Sequence, residues 1–293
     1  MALVLGSVCV FSGLAGQAAP PSQPDPAQLA LILRSAREYC GKLERAALDF
    51  ICVEEVEEKL DLSRDDQEAL EQAASRTADH EPGTLRTRTR MEIRRNPKQE
   101  NTYLYDYQFI RREGKIEEKR ALLERSGKKT DLPAPNVRFS AFSYSDVLLA
   151  PVQLLDERFE EYYSYRLLAK ETYGAAEAWV LEVHPKLAGA RYLGGKLWLK
   201  TDDASVLRIE WDPATFGHYE RIQARAEAYK SAPEVRSYSE FGVEKNGLRF
   251  PSADFTEEAY RGANGKLFVR ARTSVTYRDH KFFTVETSST LKK

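Results

Sequence analysis

Histidine is the first side chain to test for chemistry, because it binds metals and moves protons near neutral pH. His80, His184, His218 and His280 are scattered singly, with no paired spacing on one helix or hairpin, so they spell out no metal site. Asp279-His280 reads as an ordinary turn between Tyr277 and Phe282. Asp202-Asp203 and Glu257-Glu258 pair carboxylates in sequence, but neighbours on a strand point to opposite faces and cannot share a substrate. No nucleophile elbow, phosphate loop, Cys-x-x-Cys or glycine-rich dinucleotide turn occurs. The chain therefore reads as a non-enzyme without cofactor or metal.

Charge offers one sharper candidate. Arg86, Arg88, Arg90 and Arg94 share one face of an expected strand over 85–95, suited to lipid head groups, a phosphorylated glycan or an acidic partner. Glu54, Glu55, Glu57 and Glu58 on a neighbouring strand give the alternative, cross-strand ion pairs on a solvated face. Tyr103, Tyr105 and Tyr107 read as packing beneath a helix before they read as a platform for sugar or peptide. The 44 basic and 45 acidic residues nearly cancel, and a net charge of -1 gives no global field toward nucleic acid or an anionic membrane.

The elements that must position these residues follow from periodicity. Leu197 and Leu199 alternate with Lys196, Trp198 and Lys200; after the polar stretch 201–204, Leu207, Ile209 and Trp211 alternate with Arg208, Glu210 and Asp212. Period two on both sides of a turn is a hairpin with one greasy face. Similar runs fall at 101–112, 116–125, 161–170, 177–185, 219–230, 235–245, 248–261, 266–278 and 281–287, with turn signals such as Asn246-Gly247 and Asn264-Gly265 between them. Upstream, Asp25-Pro26 caps a helix whose Leu29, Ile32, Leu33, Ala36, Cys40, Leu43 and Ala47 recur at helical spacing. The expected fold is mainly β with packed helices: a curved antiparallel meander of about ten or eleven strands forming an unclosed barrel over the N-terminal helix. Residues 142–159 are apolar and helix-permissive, residues 60–83 hold a charged helical insertion, and the loop 126–140 is long enough to cover or gate something.

Residues 1–19 combine an apolar run with small residues, Gly16 and Ala18 standing at the -3 and -1 positions of a signal-peptide cleavage site; a buried or anchoring N-terminal helix is the alternative. Residues 20–25 form a linker, and 26–293 a single domain, expected in the periplasm or secreted, with no further run long enough to span a membrane. Cys40 and Cys52 remain after cleavage. A bridge between them would close a loop of about a dozen residues and stabilise by up to ~3 kcal/mol; two buried free thiols are the alternative.

The strand layout, with Gly195-Lys196-Leu197-Trp198-Leu199-Lys200, the acidic turn at Asp202/Asp203, Val206-Leu207-Arg208-Ile209 and Gly247-Leu248-Arg249-Phe250-Pro251, resembles the bacterial outer-membrane lipoprotein-sorting proteins, the LolA/LolB-like carriers. The resemblance implies an unclosed barrel around a helical lid, with a hydrophobic cavity for acyl chains. It transfers no individual residue role. Together these readings predict a non-enzymatic envelope protein that binds an acyl chain, lipid or lipidated peptide. Trp179, Leu181, Val183, Leu197, Leu199, Leu207, Ile209 and Trp211 are the candidate wall. An envelope protein–protein interaction or sensor module is the alternative.

Overall fold

The structure, a computed structural model, describes residues 26–65, 97–113, 115–129, 147–187 and 192–283. Helix α1 (Pro26–Ala46) leads into β1 (Phe50–Asp61), then β2 (Lys98–Arg112), β3 (Lys115–Arg125) and β4 (Lys128–Lys129). A short helix α2 (Ala150–Leu155) precedes β5 (Tyr163–Tyr173), β6 (Ala176–Pro185), β7 (Gly195–Lys200) and β8 (Val206–Trp211). Helix α3 (Tyr219–Ala228), β9 (Ser231–Glu240), the small hairpin β10 (Val243–Lys245) and β11 (Leu248–Phe250), β12 (Ala253–Gly262) and β13 (Leu267–Phe282) complete it.

Eleven of these strands form one antiparallel sheet that curves without closing, in the order β4-β3-β2-β1-β13-β12-β9-β8-β7-β6-β5. The meander is therefore continuous in space but not in sequence, because the first strand pairs with the last. Its edges, β4 and β5, are sequence neighbours at opposite rims. The small hairpin turns through Asn246 and Gly247, both at positive φ (52° and 72°), the geometry an Asn-Gly turn favours.

Register aligns one inward rung from β5 to β2. Leu167, Leu181, Leu197 and Ile209 lead to Ser239 and Asp254, and the rung continues through Val275, Val56 and Tyr103. Its β5–β8 half shares a core with Ile32, Leu33, Ala36, Cys40 and Leu43 of α1 and Val152, Leu154 and Leu155 of α2. The Cys40 thiol lies 3.4 Å from the Pro151 carbonyl, and the Tyr165 hydroxyl donates to the Leu154 carbonyl at 3.0 Å, fixing α2 between α1 and β5.

Three expectations are corrected here. Cys40 and Cys52 are buried free thiols, not a disulfide: Cys40 faces α2, whereas Cys52 lies in the β1–β2 ladder beside Tyr107. Residues 219–228 are helix, because Ile222 and Ala226, four apart in an alanine-rich run, bury one side together. Asp279-His280 is no turn; β13 runs through it to Phe282, and the His280 ring stacks on Phe50. The arginine face 86, 88, 90 and 94, residues 1–25, most of the insertion and most of the 126–140 loop lie outside the described residues.

Candidate functional site

The wall residues expected from sequence divide by position. Leu181, Val183, Leu197, Leu199 and Ile209 are fully buried in the main core, and Trp179 and Trp211 pack against it partly exposed. Leu207 falls at the bulge between the Trp198–Arg208 and Leu199–Val206 pairs, so Val206 takes the inward place. Most of this greasy wall is thus filled by α1 and α2.

Open space lies farther along the concave face. A cavity of about 250 Å³ sits where β8, β9 and β12 pass between α2 and the segment that leads into α3. Val147, Ala150, Leu193, Trp211 and Phe216 give its apolar lining, and Gln153, His218, Ser237, Ser239, Asp254 and Thr256 its polar one. Gly195, opposite Trp211, lies so close to the Glu210 carbonyl that a Cβ there would come within 2.2 Å of it.

The floor is a chain of hydrogen bonds. The Trp211 Nε1–H donates to Ser239 Oγ at 2.9 Å, Ser239 bonds Asp254, and the Tyr277 hydroxyl donates to Asp254 Oδ2 at 2.8 Å. Beside it, Ser237 and Thr256 join hydroxyls at 2.8 Å. Burial pushes the Asp254 carboxyl up to about 7, against the pull of the Ser239 and Tyr277 hydrogen bonds. Burial likewise holds His218 below its ordinary value.

The arginines near this floor are already engaged. Arg120 forks onto Glu54 (2.5 and 2.9 Å) and also bonds Glu118, which accepts from the Tyr107 hydroxyl at 2.6 Å. Arg225 forks onto Glu258 (2.8 and 3.1 Å), and Arg270 onto Asp65 (2.6 and 3.0 Å). Glu54 and Glu58 are buried on the inward face, while Glu55 and Glu57 point outward. The four glutamates therefore do not form one solvated face. Burial raises the Glu54 pKa even with Arg120 beside it.

Asp254, the centre of the site, escaped sequence reading. Its signal was the inversion of strand pattern at 254, 256 and 258, where polar residues take the alternate positions that apolar ones fill elsewhere. Among the described residues, no group of three or more His, Cys, Asp or Glu could hold a metal ion, and no helix is long and apolar enough to cross a membrane.

No family model and no curated protein matches the chain. Among solved structures it is similar to a candidate outer membrane lipoprotein-sorting protein domain from Vibrio parahaemolyticus (12% identity, TM-score 0.44, covering 87% of this chain and 93% of that one). It is also similar to the MucA/MucB complex structure from Pseudomonas aeruginosa (11%, 0.22, 85% and 99%). A LolA superfamily protein from Nitrosomonas europaea (11%, 0.35, 88% and 94%) is similar too.

Proposed function

We propose that the protein is a non-catalytic binding protein of the bacterial envelope, which receives an acyl chain or a similar amphiphile on the concave face of its sheet. The observation that carries this reading is the cavity beside Trp211, apolar on one side and polar on the other. Its volume of about 250 Å³ is just below the ~300–1,000 Å³ of typical small-molecule sites, which favours a short or partly inserted chain.

Magnitudes decide where the ligand goes. Lifting α1 away would expose Ile32, Leu33, Tyr39 and Leu43, at roughly 1.5–3 kcal/mol for each large apolar side chain. The sum rivals the ~5–15 kcal/mol stability of an entire domain. The ion pairs at the helix rim, Arg37–Glu160 and Arg158–Glu44, are surface contacts that add little to it. The occupant therefore enters beside the helices, and Leu181, Leu197 and Leu199 stay packed in the core with α1 and α2.

Native mass spectrometry of protein purified from a bacterial periplasm, with titration of an apolar fluorescent probe, tests this. The expected result is a co-purifying amphiphile, or saturable probe binding that Ala150→Phe abolishes by filling the cavity from α2. Empty protein that binds the probe no better than the Ala150→Phe variant would overturn the reading. So would retention of a polypeptide in place of an amphiphile.

A further inference from the structure

We propose that this cavity selects amphiphiles with a protonated amine head group, held by the Asp254 carboxylate; the proposal rests on the cavity being the ligand site. Three observations lead to it. Asp254 lines the cavity from the middle of β12 and is 2% exposed. An ionised carboxylate accepts about four hydrogen bonds. Ser239 and Tyr277 supply two, which leaves acceptor capacity to spare.

The second observation is that no cation among the described residues lines the cavity, Arg120 acting on Asp254 only through space while forked onto Glu54. Arg120, Arg225 and Arg270 are committed to Glu54 and Glu118, to Glu258, and to Asp65. A second anion brought here would be buried against Asp254 with nothing to neutralise it, and burying an uncompensated charge is costly. An ammonium group supplies the missing charge and donates to the free lone pairs.

The third observation is the rest of the polar lining. The Ser237, Ser239 and Thr256 hydroxyls line the same cavity and offer acceptor sites around the carboxylate. Leu193, Trp211 and Phe216 leave an apolar side for a hydrocarbon tail. The lining is thus polarised in the sense an alkylamine requires, and opposed to that of a fatty acid.

Calorimetric titration of the full chain at pH 8 with decylammonium, decanol and decanoate, each below its aggregation concentration, tests the proposal. Decylammonium is expected to bind at least tenfold tighter than decanol, and decanoate weakest. Asp254→Asn should lower decylammonium affinity at least tenfold while leaving decanol unchanged. Decanoate binding as tightly as decylammonium to the unaltered protein would overturn the proposal without any variant. A preference for decylammonium that persists in Asp254→Asn would overturn it too. In either case Ala150→Phe still blocking the ligands keeps the cavity as the ligand site. If none of the three ligands binds, the ligand-site reading falls along with the proposal.

Discussion

Replacing Asp254 by Asn keeps the shape of the side chain and removes its ionisation. The Asn Oδ1 can accept from the Tyr277 hydroxyl, and its amide can donate to Ser239 Oγ. In the folded chain, burial pushes the Asp254 carboxyl from 3.8 up to about 7, with Glu54 adding to the rise and the Ser239, Tyr277 and Arg120 interactions opposing it. Between these two values the folded state holds a proton that the unfolded chain has released. Stability is therefore full below about pH 4 and falls as pH rises to about 7. At about 1.36 kcal/mol per pH unit, the whole window is worth roughly 4 kcal/mol, of which about 3 kcal/mol falls above pH 5. The Asn variant has no such slope. His218, His280 and Glu54 titrate in both proteins and largely cancel in the difference.

Urea unfolding of both proteins at pH 5 and pH 8 measures that difference. Asp254→Asn should be modestly the more stable at pH 5, and its advantage should widen by roughly 3 kcal/mol at pH 8. A gap that stays constant between the two pH values would refute the reasoning: the carboxyl would then not be a buried acid without a cationic partner.

Other perturbations separate the remaining interactions. Arg120→Met strands Glu54 and Glu118 and should cost about 3–5 kcal/mol in chemical denaturation, whereas adding Glu54→Met should restore part of the loss. Leu197→Ala, in the filled half of the face, should lower stability by about 2–5 kcal/mol while ligand affinity at the cavity stays within error in calorimetry. Burial raises the thiol pKa of both Cys40 and Cys52, so a thiol reagent should label neither in the native protein and both after urea unfolding, and dithiothreitol should leave the Tm unchanged.

The fold was legible where local pattern and burial agree. Alternation at 195–200 and 206–211, Asn-Gly at 246–247 and the helical spacing of Ile32, Ala36, Cys40 and Leu43 each reproduce the observed element. Strand order was not, because the pairing of Phe50–Asp61 with Leu267–Phe282 joins the two ends of the described chain, and no local signal reports it. Residues 219–228 misled because Tyr219, Ile222 and Tyr229 imitate strand composition, while the burial of Ile222 with Ala226 follows helical spacing. Glu54 and Glu58 looked solvated because sequence does not reveal that Arg120 and the tyrosines of β2 wait on the same inward face.

The position of the cavity follows from covering a wide sheet with narrow helices. Eleven strands at ~4.8 Å spacing make a surface about 50 Å across, and a helix with its side chains is only about 10–12 Å wide. Helices α1 and α2 together account for less than half of that width, and the inward residues of β5–β8 that join their core are apolar. Helix α3 packs differently, on β9, β12 and β13 through Ile222 and Ala226 and through the Arg225 fork onto Glu258. Between α2 and α3 the rung changes from Ile209 to Ser239 and Asp254, and there the open volume lies. An apolar seam at that point would be a void that surrounding side chains could close, whereas a carboxylate with spare lone pairs resists closure because it needs a donor. On this reasoning the residue proposed to set the ligand preference also holds the cavity open. It follows that Asp254→Leu, which removes the carboxylate and adds bulk, should abolish amphiphile binding. Binding that survived this substitution would place the ligand elsewhere on the sheet.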